Sequence, residues 1–209
     1  MRRSLLILIV FLSISCFTRN RTLRIGIQPF ENFDPVLIDT IALAIRKTYE
    51  ADVYILPSVK LPESAFIHVK SPRYRADSLI KYLKRNKSDT LDYVLGLTHN
   101  DISTTKRDKF GRVKQPPYKY TDWGIFGLGY RPGPSCVVSG YRIRTMDQKL
   151  FFSRLKKICI HELGHNMGLP HCSSEKCVMQ DAAETIRTID RVHQELCEKC
   201  RRIIVNVTN

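Results

Sequence analysis

The 209-residue sequence predicts a mixed α/β fold, and two observations indicate it. Apolar residues make up 43% of the chain, which is enough for a core, and charged residues make up 26% in a pattern that argues against disorder. Short apolar runs bounded by proline and glycine alternate with longer segments of helical periodicity, an order typical of a sheet with helices packed on it. At this length we expect one domain, residues 21–209, preceded by a separate N-terminal segment.

The first half of this domain contains three predicted strands and two predicted helices. Residues 23–30 alternate in polarity and form the first strand. The dipeptide Asp34-Pro35 then begins a helix, with the aspartate as N-cap and the proline in the first turn. Residues 51–57 form the second strand, a helix is expected from about Arg73, and residues 91–98 form a third, apolar strand. This alternation predicts a mixed sheet.

The second half begins with a charged, proline-containing stretch, residues 100–120, which we interpret as a surface loop. Residues 99–101, at the end of the third strand, could line a cleft; the alternative is that His99, like His68 and His193, has no functional role, since these histidines lack partners at metal spacing. Residues 123–130 and 136–143 are predicted to form a hairpin. Three glycines fall in its first strand: Gly124, Gly127 and Gly129. They indicate a sheet edge, with which a substrate peptide could pair, or a close approach of backbones; a weak strand packed through small residues is the alternative.

The N-terminal segment has the pattern of an export signal. Arg2 and Arg3 precede an apolar stretch, residues 5–12, which is too short for a comfortable membrane span. We interpret residues 1–20 as a signal peptide, or as a lipoprotein signal in which Cys16 is acylated; an uncleaved anchor is the alternative. The protein is therefore expected to be periplasmic, secreted or lipoprotein-anchored, and not cytoplasmic, with any membrane attachment made through this segment.

The chain is strongly basic, with a formal net charge of +14. A basic surface suits nucleic acid, anionic membranes or acidic substrates. The sequence nevertheless lacks an aromatic-rich RNA-binding motif and repeated basic helices. We therefore interpret the charge as a solvated surface and expect no nucleic-acid partner.

The stretch HELGHNMGLPHC, residues 161–172, closes a segment of helical pattern that spans residues 146–167. His161 and His165 are four residues apart, so a helix places both imidazoles on one face, where they can bind one zinc ion. Glu162 is adjacent to the first histidine and can act as general base on a zinc-bound water without binding the metal itself.

The residues that follow extend this motif. Gly168 can end the helix by adopting a positive φ, and Pro170 discourages a new helical turn. The chain then bends, and His171 can supply a third nitrogen to the same ion. Three protein ligands leave a fourth position for water, as catalytic zinc requires. The alternative, a helix with histidines placed by chance, does not account for the extended spacing.

Four of the seven cysteines form two close pairs: Cys172 with Cys177, and Cys197 with Cys200. This spacing suits a zinc site of four thiolates. In an exported protein the same pairs could instead form disulfides. The remaining Cys136 and Cys159 are expected to be buried apolar residues, with a disulfide between them as the alternative.

The string HELGHNMGLPHCSSEKCVM followed by CEKC resembles the archaemetzincins, a family of metzincin-type zinc peptidases, at every fixed position and spacing. The resemblance implies a compact metzincin-like domain with a mixed twisted sheet, an active-site helix and a small C-terminal helical subdomain that carries the cysteine site. It implies two zinc ions. The catalytic ion would be bound by His161, His165 and His171, with Glu162 as general base. The structural ion would be bound by Cys172, Cys177, Cys197 and Cys200.

The same resemblance implies a supporting role for Met179, which would lie in a tight turn and pack beneath the catalytic ligands. It also implies hydrolysis of peptide or protein substrates, with aminopeptidase action in some members and weak or undetected activity in others. A tyrosine that steadies the oxyanion in some metzincins has no counterpart here after Tyr141. The rival hypotheses are a catalytically silent zinc protein and a nucleic-acid or protein-binding module, and the presence of Glu162 argues against both. We expect a monomer.

Overall fold

The computed structural model describes residues 22–181 and 185–208, and within them it has the mixed α/β architecture that the sequence predicts. The strands are β1 (Arg24–Pro29), β2 (Asp52–Ile55), β3 (Phe66–His68), β4 (Pro72–Arg75), β5 (Tyr93–Thr98), β6 (Ile102–Thr104), β7 (Trp123–Ile125), β8 (Gly127–Gly129) and β9 (Ser135–Ser139). The helices are α1 (Pro35–Tyr49), α2 (Ala76–Asn86), α3 (Pro117–Tyr120), α4 (Gln148–Asn166), α5 (Ile186–Arg191) and α6 (Glu198–Thr208). The predicted signal, residues 1–20 with Cys16, lies outside the described residues.

The larger sheet has five strands in the order β2-β1-β5-β9-β8. All neighbours in it are parallel except β8, which runs antiparallel to β9 and ends the sheet. Successive side chains along its strands point alternately into two cores, one on each face of the sheet. Leu95 and Leu97 pack with buried residues of α1 and α4, whereas Val94 packs with those of α2. Helix α4, which carries the first two histidines of the motif, therefore lies on one face of this sheet.

A smaller sheet has four strands in the order β3-β4-β6-β7. The chain passes from this sheet to the larger one at Phe126, the single residue between β7 and β8. The Phe126 carbonyl accepts a hydrogen bond of 2.8 Å from the Ser139 amide, which fixes the crossing against the end of β9. The end strands of the two sheets thus follow each other directly along one wall of the molecule.

Helices α1 and α4 both begin at an aspartate cap, of which the one at Asp34 was predicted from the sequence. Asp34 accepts a hydrogen bond of 2.8 Å from the Val36 amide, and Pro35 occupies the first turn of α1. Asp147 accepts a bond of 3.1 Å from the Leu150 amide at the start of α4. Such caps satisfy amides that the first helical turn leaves without partners. No described helix is long and apolar enough to cross a bilayer.

Several predicted elements have different bounds in the structure. The helix expected from about Arg73 begins instead at Ala76, because residues 72–75 pair with both β3 and β6. The single strand expected over residues 123–130 is two strands in two sheets. The strand expected to reach residue 143 ends at Ser139 and is followed by a 3-10 turn, Tyr141–Ile143.

Two further predictions were too simple. The stretch predicted as a loop, residues 100–120, contains β6 and α3. The sequence from about residue 182 to 205 also has a helical pattern, which predicts one helix. The structure has two helices there, α5 and α6, separated by residues 192–197, and residues 182–184 are outside the described residues. Buried residues of both helices, including Ile189 and Ile204, nevertheless join the core that α1 and α4 form.

Candidate active site

The end of α4 brings the third histidine of the motif back toward the first two. Gly168 has φ +92°, the left-handed conformation predicted from the sequence. The Gly168 amide donates to the His165 carbonyl at 2.9 Å, and the Leu169 amide donates to the Gly164 carbonyl at 2.9 Å. These two bonds are those of a Schellman C-cap, which reverses the chain after the helix. His171 therefore lies beside His165 and not beyond the helix end.

The three imidazole rings face one another. Their centroids are 4.6 Å apart for His161 and His165, 4.8 Å for His165 and His171, and 5.4 Å for His161 and His171. One nitrogen from each ring lies within 4.8 Å of the others. The structure thus brings together the three residues that the sequence predicted as one ligand set.

The rings are also oriented for metal binding. Nδ1–H of His161 donates to the Val178 carbonyl at 2.8 Å, and Nδ1–H of His165 donates to the Leu169 carbonyl at 2.8 Å. Nδ1 of His171 lies 3.4 Å from a carboxylate oxygen of Asp181. Partners of this kind on Nδ1 leave the Nε2 lone pair for a metal, the usual outer arrangement around histidine ligands. The donor set therefore fits zinc.

The protonation state of two of these rings supports the same conclusion. Burial, together with the smaller effect of the neighbouring His165, lowers the pKa of His161 to about 3. Burial also lowers the pKa of His165. Because a metal binds neutral imidazole, both rings are in the ligand form at neutral pH without first losing a proton.

Glu162 points into the same region but from a buried position, with 9% of its surface exposed. Burial raises the pKa of Glu162 to about 8, and a hydrogen bond from the Gly129 amide opposes that rise. The carboxylate lies against β8: a methyl group on Gly127 would be 2.8 Å from Cγ of Glu162. A methyl group on Gly129 would be 2.6 Å from the Glu162 carbonyl oxygen. The close backbone approach predicted for these glycines is therefore an approach to Glu162.

Met179 lies beneath the active-site helix and is fully buried. Its sulfur is the nearest atom to the position that a methyl group on Gly164 would occupy, at 2.5 Å. Tyr49 of α1 supports the same turn of helix, because its hydroxyl donates to the Ile160 carbonyl at 2.6 Å. The helix segment that carries the histidines thus packs against the Met179 thioether and accepts a hydrogen bond from the Tyr49 phenol.

The four cysteines of the two predicted pairs form a second cluster, in which sulfurs of different pairs lie close together. Sγ of Cys172 is 3.7 Å from that of Cys197, and Sγ of Cys177 is 3.8 Å from that of Cys200. Four thiolates in a tetrahedron around zinc, each at about 2.3 Å, are separated by about 3.8 Å. A disulfide would require about 2.05 Å. The cluster therefore has the dimensions of a thiolate zinc site.

Two thiols of this cluster have pKa values that are shifted in opposite directions. Burial tends to raise the pKa of Cys197, but hydrogen bonds from the Cys200 amide and the neighbouring thiols lower it to about 7. Burial raises the pKa of Cys177. All six described cysteines are free, and Cys136 and Cys159 are buried, as expected of apolar residues.

A cleft of about 760 Å³ opens over the histidine cluster. The imidazoles and Glu162 line it together with residues of β7 and β8, which we call its wall, and with residues of α4 and α5. Its lining also includes Trp123 and Arg142, which the sequence analysis did not single out. Only the glycine pattern of 124–129 could have indicated that this wall faces the site.

His99 and Asp101, which follow β5, lie at two different sites. His99 stacks on Phe33 with ring centroids 4.1 Å apart and lines a separate cavity of about 690 Å³. His99 therefore does not line the active-site cleft. Asp101 is buried and forms a bidentate ion pair with Arg142, whose guanidinium does line the cleft.

The comparison with known proteins agrees with this geometry. The model of a family described as Peptidase family M54 matches residues 11–206. The chain belongs to peptidase family M54. An archaemetzincin from Haloquadratum walsbyi is 31% identical over 170 residues, which cover 77% of this chain and 87% of that protein. One from Halobacterium salinarum is 28% identical over 191 residues, which cover 87% of this chain and 99% of that protein.

Solved structures of M54 proteins share the fold. The crystal structure of archaemetzincin from Methanopyrus kandleri matches with a TM-score of 0.72 and 27% identity, over 91% of this chain and 98% of that chain. Archaemetzincin from Archaeoglobus fulgidus, solved in complex with malonate, matches with a TM-score of 0.68 and 25% identity, over 87% of this chain and 99% of that chain. As a member of the M54 family the protein is a zinc metallopeptidase, which confirms the family and the enzyme class predicted from its motif.

Proposed function

We propose that this M54 protein hydrolyses peptide bonds in the cleft above the histidine cluster, with Glu162 as general base. The observation that carries the proposal is the convergence of three imidazoles, each with a partner on Nδ1, and one buried carboxylate that is not part of their ligand set. Zinc bound by His161, His165 and His171 would act as a Lewis acid that lowers the pKa of water and polarises a carbonyl group.

The protein's own part in the reaction is assigned to Glu162 and to the wall beside it. The carboxylate accepts a proton from the attacking water and returns it to the departing amine. Its burial favours this exchange, because a group with a pKa of about 8 can both take and give a proton near neutral pH. The Gly129 amide holds the carboxylate in place.

We propose that the peptide substrate lies extended along β8. That strand ends the larger sheet among the described residues, so one side of its backbone carries no partner strand. A peptide can add to such an edge through main-chain hydrogen bonds, with little dependence on its side chains. The contact of Gly127 and Gly129 with Glu162 would then bring the peptide backbone next to the general base.

We further propose two zinc ions for each chain, one in the histidine cluster and one in the cysteine cluster. The sulfur separations of 3.7 and 3.8 Å support the second ion. Native mass spectrometry of the intact protein gives the metal count directly, and the same spectrum tests the expected monomer. A count of one zinc per chain in the wild type that is unchanged in a Cys200→Ser variant would contradict the two-ion proposal.

The activity is tested with internally quenched peptides and aminoacyl substrates, each offered with a free and with an acetylated amino terminus. Glu162→Gln removes the base but keeps the size of the side chain, and we expect kcat to fall by about 10²- to 10⁴-fold with zinc content unchanged. Preference for the free amino terminus would identify an aminopeptidase. Full activity in Glu162→Gln would remove the assigned base, and silence of fully zinc-loaded protein would favour a catalytically silent zinc protein.

We propose, finally, that residues 1–20 direct export of the protein. The basic and apolar pattern of this segment supports the proposal. Intact mass of the protein recovered from each cell fraction distinguishes its outcomes. Loss of about 20 residues indicates a cleaved signal, an added acyl mass on Cys16 indicates a lipoprotein, and full-length protein in the cytoplasm contradicts export.

A further inference from the structure

We propose that Arg142 binds a carboxylate of the peptide substrate within about three residues of the scissile bond, and so makes the enzyme prefer acidic peptides. This proposal rests on the peptidase function proposed above. Arg142 lies in the 3-10 turn after β9, and its guanidinium lines the same cleft as Glu162 and the three histidines. Its side chain is 33% exposed, so it is held by the protein yet open to a ligand.

The guanidinium is held by one edge only. Its Nε and Nη2 donate to the two carboxylate oxygens of Asp101 at 2.6 and 2.7 Å. Among residues 22–181 and 185–208, no hydrogen bond uses Nη1 of Arg142. Because a guanidinium carries five N–H donors, its Nη1–Nη2 end keeps a second pair of donors, which matches the spacing of a carboxylate.

A buried ion network fixes the orientation of this arginine. Asp101, whose side chain is only 4% exposed, also lies 3.3 Å from the Arg73 guanidinium, which in turn lies 3.4 Å from Asp122. Two positive and two negative side chains are thus joined, and of the four only Arg142 lines the cleft. Buried ion pairs contribute little net stability, so their value here is the fixed direction of the exposed donors.

The wall of the cleft is shaped around the same group. A methyl group on Gly124 would be 2.0 Å from Cζ of Arg142, so the guanidinium lies flat against the backbone of β7 and only glycine leaves room for it. Gly127, three residues further on, is the residue that contacts Glu162. Three extended residues span at most about 10 Å, and a peptide advances about 3.3 Å per residue. The second donor pair is therefore within about three substrate residues of the general base.

The other charges of the cleft favour a negative group at this end. Among the described residues that line it, the acids are Glu162 and Asp181, and both lie next to the histidine ligands. The remaining bases are Lys106, which lies over the Trp123 ring at 4.3 Å, and Lys157, which donates to the Ile189 carbonyl at 2.9 Å. Among the described residues, the end near Arg142 is thus basic, because the nearby acids Asp101 and Asp122 are outside the cleft lining and already paired with arginines.

The carboxylate can be an aspartate or glutamate side chain or the free carboxyl terminus of a short peptide, and the test separates the two. Zinc-loaded full-length protein is given quenched peptides with one glutamate moved through three positions on each side of the cleaved bond, each paired with its glutamine analogue. A further pair differs only in a carboxyl or amide terminus. We expect one pair to show a preference for the acid of roughly tenfold or more in kcat/KM.

Arg142→Met should abolish that preference, and Arg142→Lys should lose most of it, because an ammonium cannot bind Asp101 and the substrate with paired donors at once. Arg112→Met is the matched control, since Arg112 makes an exposed pair with Asp108 and does not line the cleft. Zinc content and the melting temperature are measured for every variant. The lysine variant keeps a charge beside Asp101, so it decides the question if the methionine variant does not fold.

A binding measurement separates this proposal from the peptidase function. The same peptide pairs are titrated into Glu162→Gln protein and into Glu162→Gln combined with Arg142→Lys. Tighter binding of one acidic peptide that depends on Arg142 supports the proposal even if no peptide is cleaved, in which case only the peptidase function fails. Equal affinity and equal kcat/KM within every pair, or a preference that survives in the Arg142 variants, would overturn it.

Discussion

Gly129→Ala tests how closely β8 and the active-site helix must approach. The added methyl group would be 2.6 Å from the Glu162 carbonyl oxygen, whereas ordinary contact begins near 3.4 Å. Strand and helix would therefore have to separate by about 0.8 Å. The strand cannot simply withdraw, because Gly129 is also paired with Cys136 of β9, whose Cβ would be only 3.3 Å from the new methyl group.

This crowding has two measurable consequences. Overpacking of this kind costs about 1–3 kcal/mol, so the free energy of unfolding in urea should fall by that amount. Misplacement of a catalytic group by about 1 Å costs about 100-fold in rate, so kcat/KM on a cleaved peptide should fall by a similar factor. Zinc content should be unchanged, because the three atoms nearest to the new methyl group belong to Glu162 and Cys136 and not to a histidine.

Gly127→Ala is the matched comparison. Its methyl group would meet Cγ and Oε1 of Glu162 at 2.8 and 2.9 Å, and a side chain can move where a backbone carbonyl cannot. We therefore expect Gly127→Ala to lower activity more than stability, and Gly129→Ala to lower both. An unfolding free energy for Gly129→Ala within about 0.5 kcal/mol of the wild type, with kcat/KM within about twofold, would refute the reasoning.

Three further predictions follow from the site. Gly168→Ala places a side chain at φ +92° in open space, so strain alone should cost about 1–2 kcal/mol of stability in thermal or urea unfolding; an unchanged midpoint would contradict this. Cys200→Ser should lower the zinc count by one and the melting temperature with it, whereas Cys159→Ala, at a buried thiol outside the cluster, should keep the full count. Tyr49→Phe removes a buried hydrogen bond of 2.6 Å to the Ile160 carbonyl and should cost about 1 kcal/mol, measured by urea unfolding; a loss of zinc in this variant would show that the bond also positions His161.

The parts of this structure that were predictable from the sequence are those governed by neighbours along the chain. The spacing of His161 and His165 follows from the helical period, and the return of His171 follows from one glycine with positive φ. The N-cap at Asp34 is equally local, because its side chain bonds an amide two residues away. Such features need no knowledge of the rest of the fold.

The parts that were not predictable depend on distant partners. Residues 72–75 have a helix-like context, yet they pair with β3 and β6, and Arg73 is buried between Asp101 and Asp122. The two sheets that share the stretch 123–129 cannot be told apart by polarity alone, since β7 and β8 are alike in composition. The sequence did not indicate Arg142, because the role proposed for it depends on its ion pair with Asp101, which is 41 residues away in the chain.

His171 and Cys172 are consecutive, so a single peptide bond joins the two clusters, and the Cys172 amide donates to the Met179 carbonyl at 2.8 Å. Binding that fixes the backbone of one cluster therefore also restricts the backbone of the other. If zinc in the cysteine cluster raises the zinc affinity of the histidine cluster by some factor, then zinc in the histidine cluster must raise the zinc affinity of the cysteine cluster by the same factor. Zinc titrations of the two clusters should accordingly be cooperative. Loss of zinc from the cysteine cluster should lower the affinity of the histidine cluster for zinc.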